Sequence, residues 1–148
     1  MRTTDRVPRQ HDRAIDVALW GLTAACVLVT LWFSFVEAPP GGSSFDGADK
    51  VGHAFAYFAT SLSFLFAAVW RPCRGDGRYM RRAMWVPVGA VAFGALIEVL
   101  QGFTATRSPE IGDIPAEAAG AGLALAVHGL VRRRTSPESG RGGIRTHG

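Results

Sequence analysis

Apolar positions in this chain gather into four long runs instead of spreading at one period along the sequence. They cover roughly residues 14–36, 51–70, 83–103 and 114–131. Crossing about 30 Å of hydrocarbon takes about 20 helical residues at 1.5 Å each, so each run is long enough. Clear stops punctuate them. Glu37 and then Pro39-Pro40-Gly41-Gly42 close the first, Pro72 the second and Arg132-Arg133-Arg134 the fourth, because proline disfavours helix in the residue before it. Pro87 is expected near the first turn of the third, and Asp113 as the N-cap of the fourth, with Pro115 just inside. Four such runs in 148 residues leave too little polar surface to cover them in water. In lipid every backbone polar group must be satisfied internally, which favours helices. The runs are rich in Ala and Leu and do not alternate, which argues against a β-barrel. The predicted fold is all-α, a four-helix transmembrane bundle.

Charge orients it. Fifteen of the sixteen basic residues are arginine, and Lys50 is the exception. Fourteen of them fall in the N-terminal tail, the loop between the second and third runs, and the C-terminal tail. That side carries a net +9 and the other a net −5, so the positive-inside rule makes both termini cytoplasmic. Trp20, Trp70 and Trp85 lie near the same ends, as an aromatic belt would place them. Three regions follow: a basic cytoplasmic tail over 1–13, a transmembrane domain over 14–131, and a disordered cytoplasmic tail over 132–148. The first run is too long for a cleavable signal peptide. Arginine clustered beside apolar runs, not along one amphipathic face, speaks against nucleic-acid binding. Cys26 and Cys73 fall at different depths, so no disulfide is expected. No C-x-x-C or H-x-x-x-H spacing is present, and no metal or cofactor is expected.

The residues that carry chemistry are those a membrane tolerates poorly. Asp49, His53 and Tyr57 recur every four residues and share one face at the outer end of the second helix. Glu98 and Gln101 lie at the outer end of the third, and Asp113 and Glu117 at the outer start of the fourth. Arg107 lies in the loop between those two. Counted at 1.5 Å per residue, all these groups fall within about 10 Å of one interface. A charge held in the apolar layer costs about 2.5–3.5 kcal/mol, so such groups face each other or a water-filled cleft. His128 is the one comparable residue in the other half and is expected as interfacial packing. Glu98 is open to two readings, paired with a cation or protonated and hydrogen-bonded.

Asp49-Lys50-Val51-Gly52-His53-Ala54-Phe55-Ala56-Tyr57 resembles the D-K-x-x-H-x-x-x-Y signature of the VanZ-like family of small bacterial membrane proteins. Glu98-Val99-Leu100-Gln101-Gly102-Phe103, followed by Arg107, is similar to that family's E-x-x-Q-x-F…R element. Asp113 with Gly120 resembles its closing D-x-x-x-N-x-x-G element, although Glu117 stands where the family usually has asparagine. The resemblance covers about residues 15–131. It implies a four-helix domain in the bacterial plasma membrane and, through the founding member, a link to resistance against the glycopeptide teicoplanin.

The expected function is binding at the outer face. Asp49, Lys50, His53, Tyr57, Glu98, Gln101, Arg107, Asp113 and Glu117 would hold the head group of a lipid-linked cell-wall precursor or an amphipathic glycopeptide. Lys50 and Arg107 would take anionic groups, and the carboxylates sugar or amide hydrogen bonds. One alternative is a membrane-embedded enzyme with Glu98 or Asp113 as base and His53 as its partner, although no nucleophile elbow, phosphate loop or metal triad supports it. Another is a proton-coupled carrier using Glu98.

Overall fold

The computed structural model describes residues 10–35, 47–70, 78–103 and 111–135. Arg107, Cys73 and most of both tails lie outside these. Four helices account for nearly all of the described chain: α1 (Gln10–Phe35), α2 (Ala48–Phe64), α3 (Tyr79–Gln101) and α4 (Ile114–Thr135). The apolar runs are thus helices, each long and apolar enough to cross a membrane. Beyond Phe64, α2 widens into a π-helical stretch, Leu65–Trp70. A single 3-10 turn, Ile111–Asp113, leads into α4.

Four helix ends outlast the apolar run that marks the span: α1 begins at Gln10 and α2 at Ala48, and the start of α3 and the end of α4 run on as well. The helix α3 starts at Tyr79, so Pro87 is inside it and not in its first turn. A membrane helix tolerates such a proline because neighbouring groups satisfy the freed carbonyl. The helix α4 carries on through Arg132, Arg133 and Arg134, where cations complement the negative end of the helix dipole.

Contacts at both ends fix the alternation of the helices. At one end Gln101, ending α3, bonds to Ser34 near the end of α1, while Asp113, just before α4, reaches α2 near its start. At the other, Tyr79, starting α3, meets His128 near the end of α4, and Trp20 of α1 meets Phe64 at the end of α2. The helices therefore run up, down, up, down, with the ends of α1 and α3 beside the starts of α2 and α4. The fourth helix packs most extensively on α2 and next on α3, and α1 lies against α2.

Burial is distributed as lipid demands, not as water does. Among the described residues ten apolar side chains are buried, and so are ten polar or charged ones. Trp32, Phe33, Phe55, Trp85 and Phe103 meanwhile face outward. In hydrocarbon an outward aromatic costs nothing, whereas a polar group must turn inward to find a partner. The α1 seam shows the same rule. Thr23, Thr30 and Ser34 bond back to the carbonyls of Leu19, Cys26 and Thr30, and the Thr30 hydroxyl also meets Thr60 across the interface at 3.2 Å. Small hydroxyls of this kind let membrane helices approach closely.

The closest approach is between α2 and α4. A Cβ built on Gly120 would fall 3.1 Å from Ala54 Cα and collide with the Ala54 carbonyl. No side chain could separate the backbones there. An apolar cluster of Leu65, Val69, Tyr79, Ala83, Val86 and Ala124 fills the half of the bundle nearer the start of α3.

At the arginine-bearing end His128, expected as packing, is fully buried. Its Nδ1 lies 2.7 Å from the Tyr79 hydroxyl, and Phe66 meets the ring edge-on. The Arg132 guanidinium covers the other part of this arrangement, 3.6 Å above the Tyr79 ring, within reach of a cation–π contact.

Candidate functional site

The polar site is built where α2 and α4 begin. Residues four apart on a helix lie on one face, so Asp49, His53, Tyr57 and Ser61 form a single file down α2. Asp113 and Glu117 do the same at the start of α4. The near contact at Gly120 closes the two files onto each other.

His53 is at the centre. Its Nε2 lies 3.5 Å from Asp113 Oδ2 and 3.9 Å from Asp49 Oδ1. Its Nδ1 lies 3.6 Å from Glu117 Oε1. Both ring nitrogens therefore face carboxylates from across the interface, Asp113 in the turn before α4 and Glu117 in its first turn. The second oxygen of Asp113 goes to Lys50, with Nζ 3.3 Å from Oδ1. Asp113 stands at the N-cap position, as expected, yet its carboxylate points across to α2.

Burial grades sharply through the cluster. Asp49 and Lys50 are about half exposed at the side chain, at 54% and 49%. Asp113 and Glu117 are buried, at 3% and 1% of the residue surface. Two buried carboxylates so close together need cations or donors nearby, because an unpaired buried charge is strongly destabilising. Lys50 and His53 supply them.

Behind His53 lies a less saturated layer. Glu117 Oε2 is buried with no hydrogen-bond partner, and its carboxylate rests on Gly94 of α3. A Cβ at Gly94 would collide with it, with Glu117 Cδ 2.6 Å away. The Tyr57 hydroxyl, also buried, lies within electrostatic reach of Glu117 and Glu98 without closing a hydrogen bond. Ser61 continues the file one turn deeper, likewise buried. Leu65 and Ala124 then follow on α2 and α4, both apolar and fully buried.

Six of the nine expected site residues thus come together: Asp49, Lys50, His53, Tyr57, Asp113 and Glu117. Glu98 is buried on the neighbouring face of α3 and borders the site through Tyr57. Gln101 serves elsewhere. Its side-chain amide donates to the Ser34 carbonyl at 2.6 Å and ties the end of α3 to α1. Arg107 lies outside the described residues. Gly94 and Ser61 were not anticipated; Ser61 continues the four-residue spacing of Asp49, His53 and Tyr57 and could have been found by it, whereas nothing in the surroundings of Gly94 says which neighbour it will meet. Asp49, His53 and Asp113 each offer one ligand atom, and these atoms lie within 4.8 Å of one another, close enough to share a cation.

Comparison with models of known protein families, with curated proteins and with solved structures finds no match to this chain.

Proposed function

We propose that this chain is a VanZ-like multi-pass protein of the bacterial plasma membrane whose polar end faces outward and binds the head group of a lipid-linked envelope component or an amphipathic antibiotic. One observation carries this reading. A half-exposed Lys50 and Asp49 form the mouth of a site in which the partly buried His53 leads to a floor, Asp113 and Glu117, buried between lipid-facing helices. A ligand whose tail lies in the bilayer can present its polar head to such a mouth without leaving the membrane. Lys50 would take an anionic group, and the carboxylates hydroxyl or amide donors.

The outward orientation rests on the +9 against −5 charge division. Single cysteines at Ser43 and Arg78, in a background with Cys26 and Cys73 replaced by alanine, should label oppositely in intact cells. An impermeant reagent should reach position 43 and not 78. The reverse pattern would put the site on the cytoplasmic face and end the envelope reading.

Gly94→Ala provides the ligand test. Its methyl group displaces the end of one side chain, Glu117, and not a backbone. Native mass spectrometry of the wild type extracted with its own lipids should show a retained polar lipid, and Gly94→Ala should retain at least several-fold less while eluting as a folded species. Equal retention in both would show that the lipid is held elsewhere.

A second reading has its own support. An imidazole facing a buried carboxylate at each nitrogen is placed for general acid–base work, which would make the site one for cleaving or transferring a head group. Turnover of the retained lipid by wild type but not by His53→Gln would favour it.

A further inference from the structure

We propose that Asp49, His53 and Asp113 form a site for a borderline divalent cation such as zinc, with Glu117 holding His53 in the orientation that ligation requires. The proposal does not depend on the head-group reading, since it concerns the protein and the metal alone.

The distances carry the argument. A charge-assisted hydrogen bond from imidazole to carboxylate is about 2.7–2.9 Å long. Nε2 instead stands 3.5 Å from Asp113 Oδ2 and 3.9 Å from Asp49 Oδ1. Ligand atoms about 2.0–2.1 Å from a tetrahedral metal lie about 3.3 Å from one another. These two spacings are nearer the edges of a coordination shell than hydrogen-bonded ion pairs, and the three ligand atoms all lie within 4.8 Å of one another, so that an inward shift of the half-exposed Asp49 completes the shell. Imidazole with two carboxylates is a donor set that zinc accepts.

Glu117 supplies the second, independent observation. When Nε2 ligates a metal, Nδ1 carries the proton and is usually held by a carboxylate, which fixes the tautomer and the ring. Glu117 Oε1 lies on that side, 3.6 Å from Nδ1, longer than a closed hydrogen bond, and a metal on Nε2, by making Nδ1–H more acidic, would draw the two together. The residue is 1% exposed, and its Oε2 has no hydrogen-bond partner. A buried carboxylate committed to the far side of the histidine is accounted for if the near side binds a cation. Lys50 is compatible with this, because it occupies Asp113 Oδ1 and leaves Oδ2 facing Nε2. The exposure of Asp49 leaves the fourth position open towards the mouth, for water or an anionic ligand.

The sequence expectation of no metal arose because two ligands come from α2 and the third from the turn before α4. No short motif contains all three.

The test is calorimetric titration of the full chain in detergent with zinc chloride. His11 and His147 are replaced by alanine throughout, so that only His53 and His128 remain as histidines. The result expected is about one equivalent bound. Glu117→Gln should weaken it about 10–100-fold, as loss of an outer-shell carboxylate does. Asp49→Asn should weaken it at least tenfold. Asp49 is half exposed, so that variant should fold even if His53→Ala does not. Absence of uptake by the wild type, or unchanged affinity in Asp49→Asn, would overturn the proposal. Zinc bound with wild-type affinity by a folded His53→Ala would do the same and assign the metal to another site.

Discussion

A single methyl group at Gly120 is expected to destabilise the bundle more than any other change of that size. The position faces the backbone of Ala54, whose carbonyl carbon and Cα would lie 2.9 and 3.1 Å from the new Cβ. A flexible side chain could swing away from such a clash, but a helix backbone can only move as a body. Overpacking of this kind costs about 1–3 kcal/mol, and more where no rotamer relieves it. Here it also separates Asp113 and Glu117 from His53, which depend on the same closeness of α2 and α4. Gly122 on the same helix is the control, since a Cβ there meets nothing within 4 Å. Alanine at that site should be neutral or stabilise by about 0.5–1 kcal/mol, because glycine is the poorer helix former. Thermal unfolding in detergent should therefore give Gly120→Ala well below the wild type and Gly122→Ala at or above it. A Gly120→Ala protein that melts with the wild type would mean that α2 and α4 are not in backbone contact.

The same pair of glycines shows what a sequence can and cannot disclose about this molecule. The helices were legible because their signal is segregation. Long uncharged runs bounded by Pro, Gly and Arg allow one reading whatever their partners are. Position along the helices was legible too, since counting residues from the helix ends put His53, Tyr57, Asp113 and Glu117 at one end of the bundle, where they meet. Rotation about the helix axis was not. Gln101 shares its depth with the cluster but faces α1, where the Ser34 carbonyl takes its amide. His128 was expected as packing; Arg132, four residues on, adjoins it along α4 itself, but Tyr79 becomes its neighbour only once α3 and α4 run antiparallel. The two glycines look alike in sequence for a similar reason. Gly120 meets a backbone and Gly122 meets nothing, a distinction that exists only after the helices have packed.

The largest electrostatic effect is expected at His53, because it stands between two buried carboxylates. Asp113 has a second cation in Lys50, whereas among the described residues Glu117 pairs with the His53 ring alone. Replacing His53 by leucine strands the Glu117 carboxylate in the bundle. Breaking a buried pair by removing one partner typically costs about 3–5 kcal/mol, since the remaining charge stays buried and uncompensated. Replacing both partners removes the cause of that cost. The double variant His53→Leu/Glu117→Gln should therefore be more stable than His53→Leu alone, with a coupling of about 1–3 kcal/mol, as found between residues in one network. Lys50→Met should cost much less, because Lys50 is half exposed and Asp113 keeps His53. Unfolding of the four proteins and the wild type in detergent with a chelator isolates the pairing from any bound cation. If the effects of His53→Leu and Glu117→Gln simply add, the two side chains do not share a charge, and the 3.6 Å between them marks proximity without pairing.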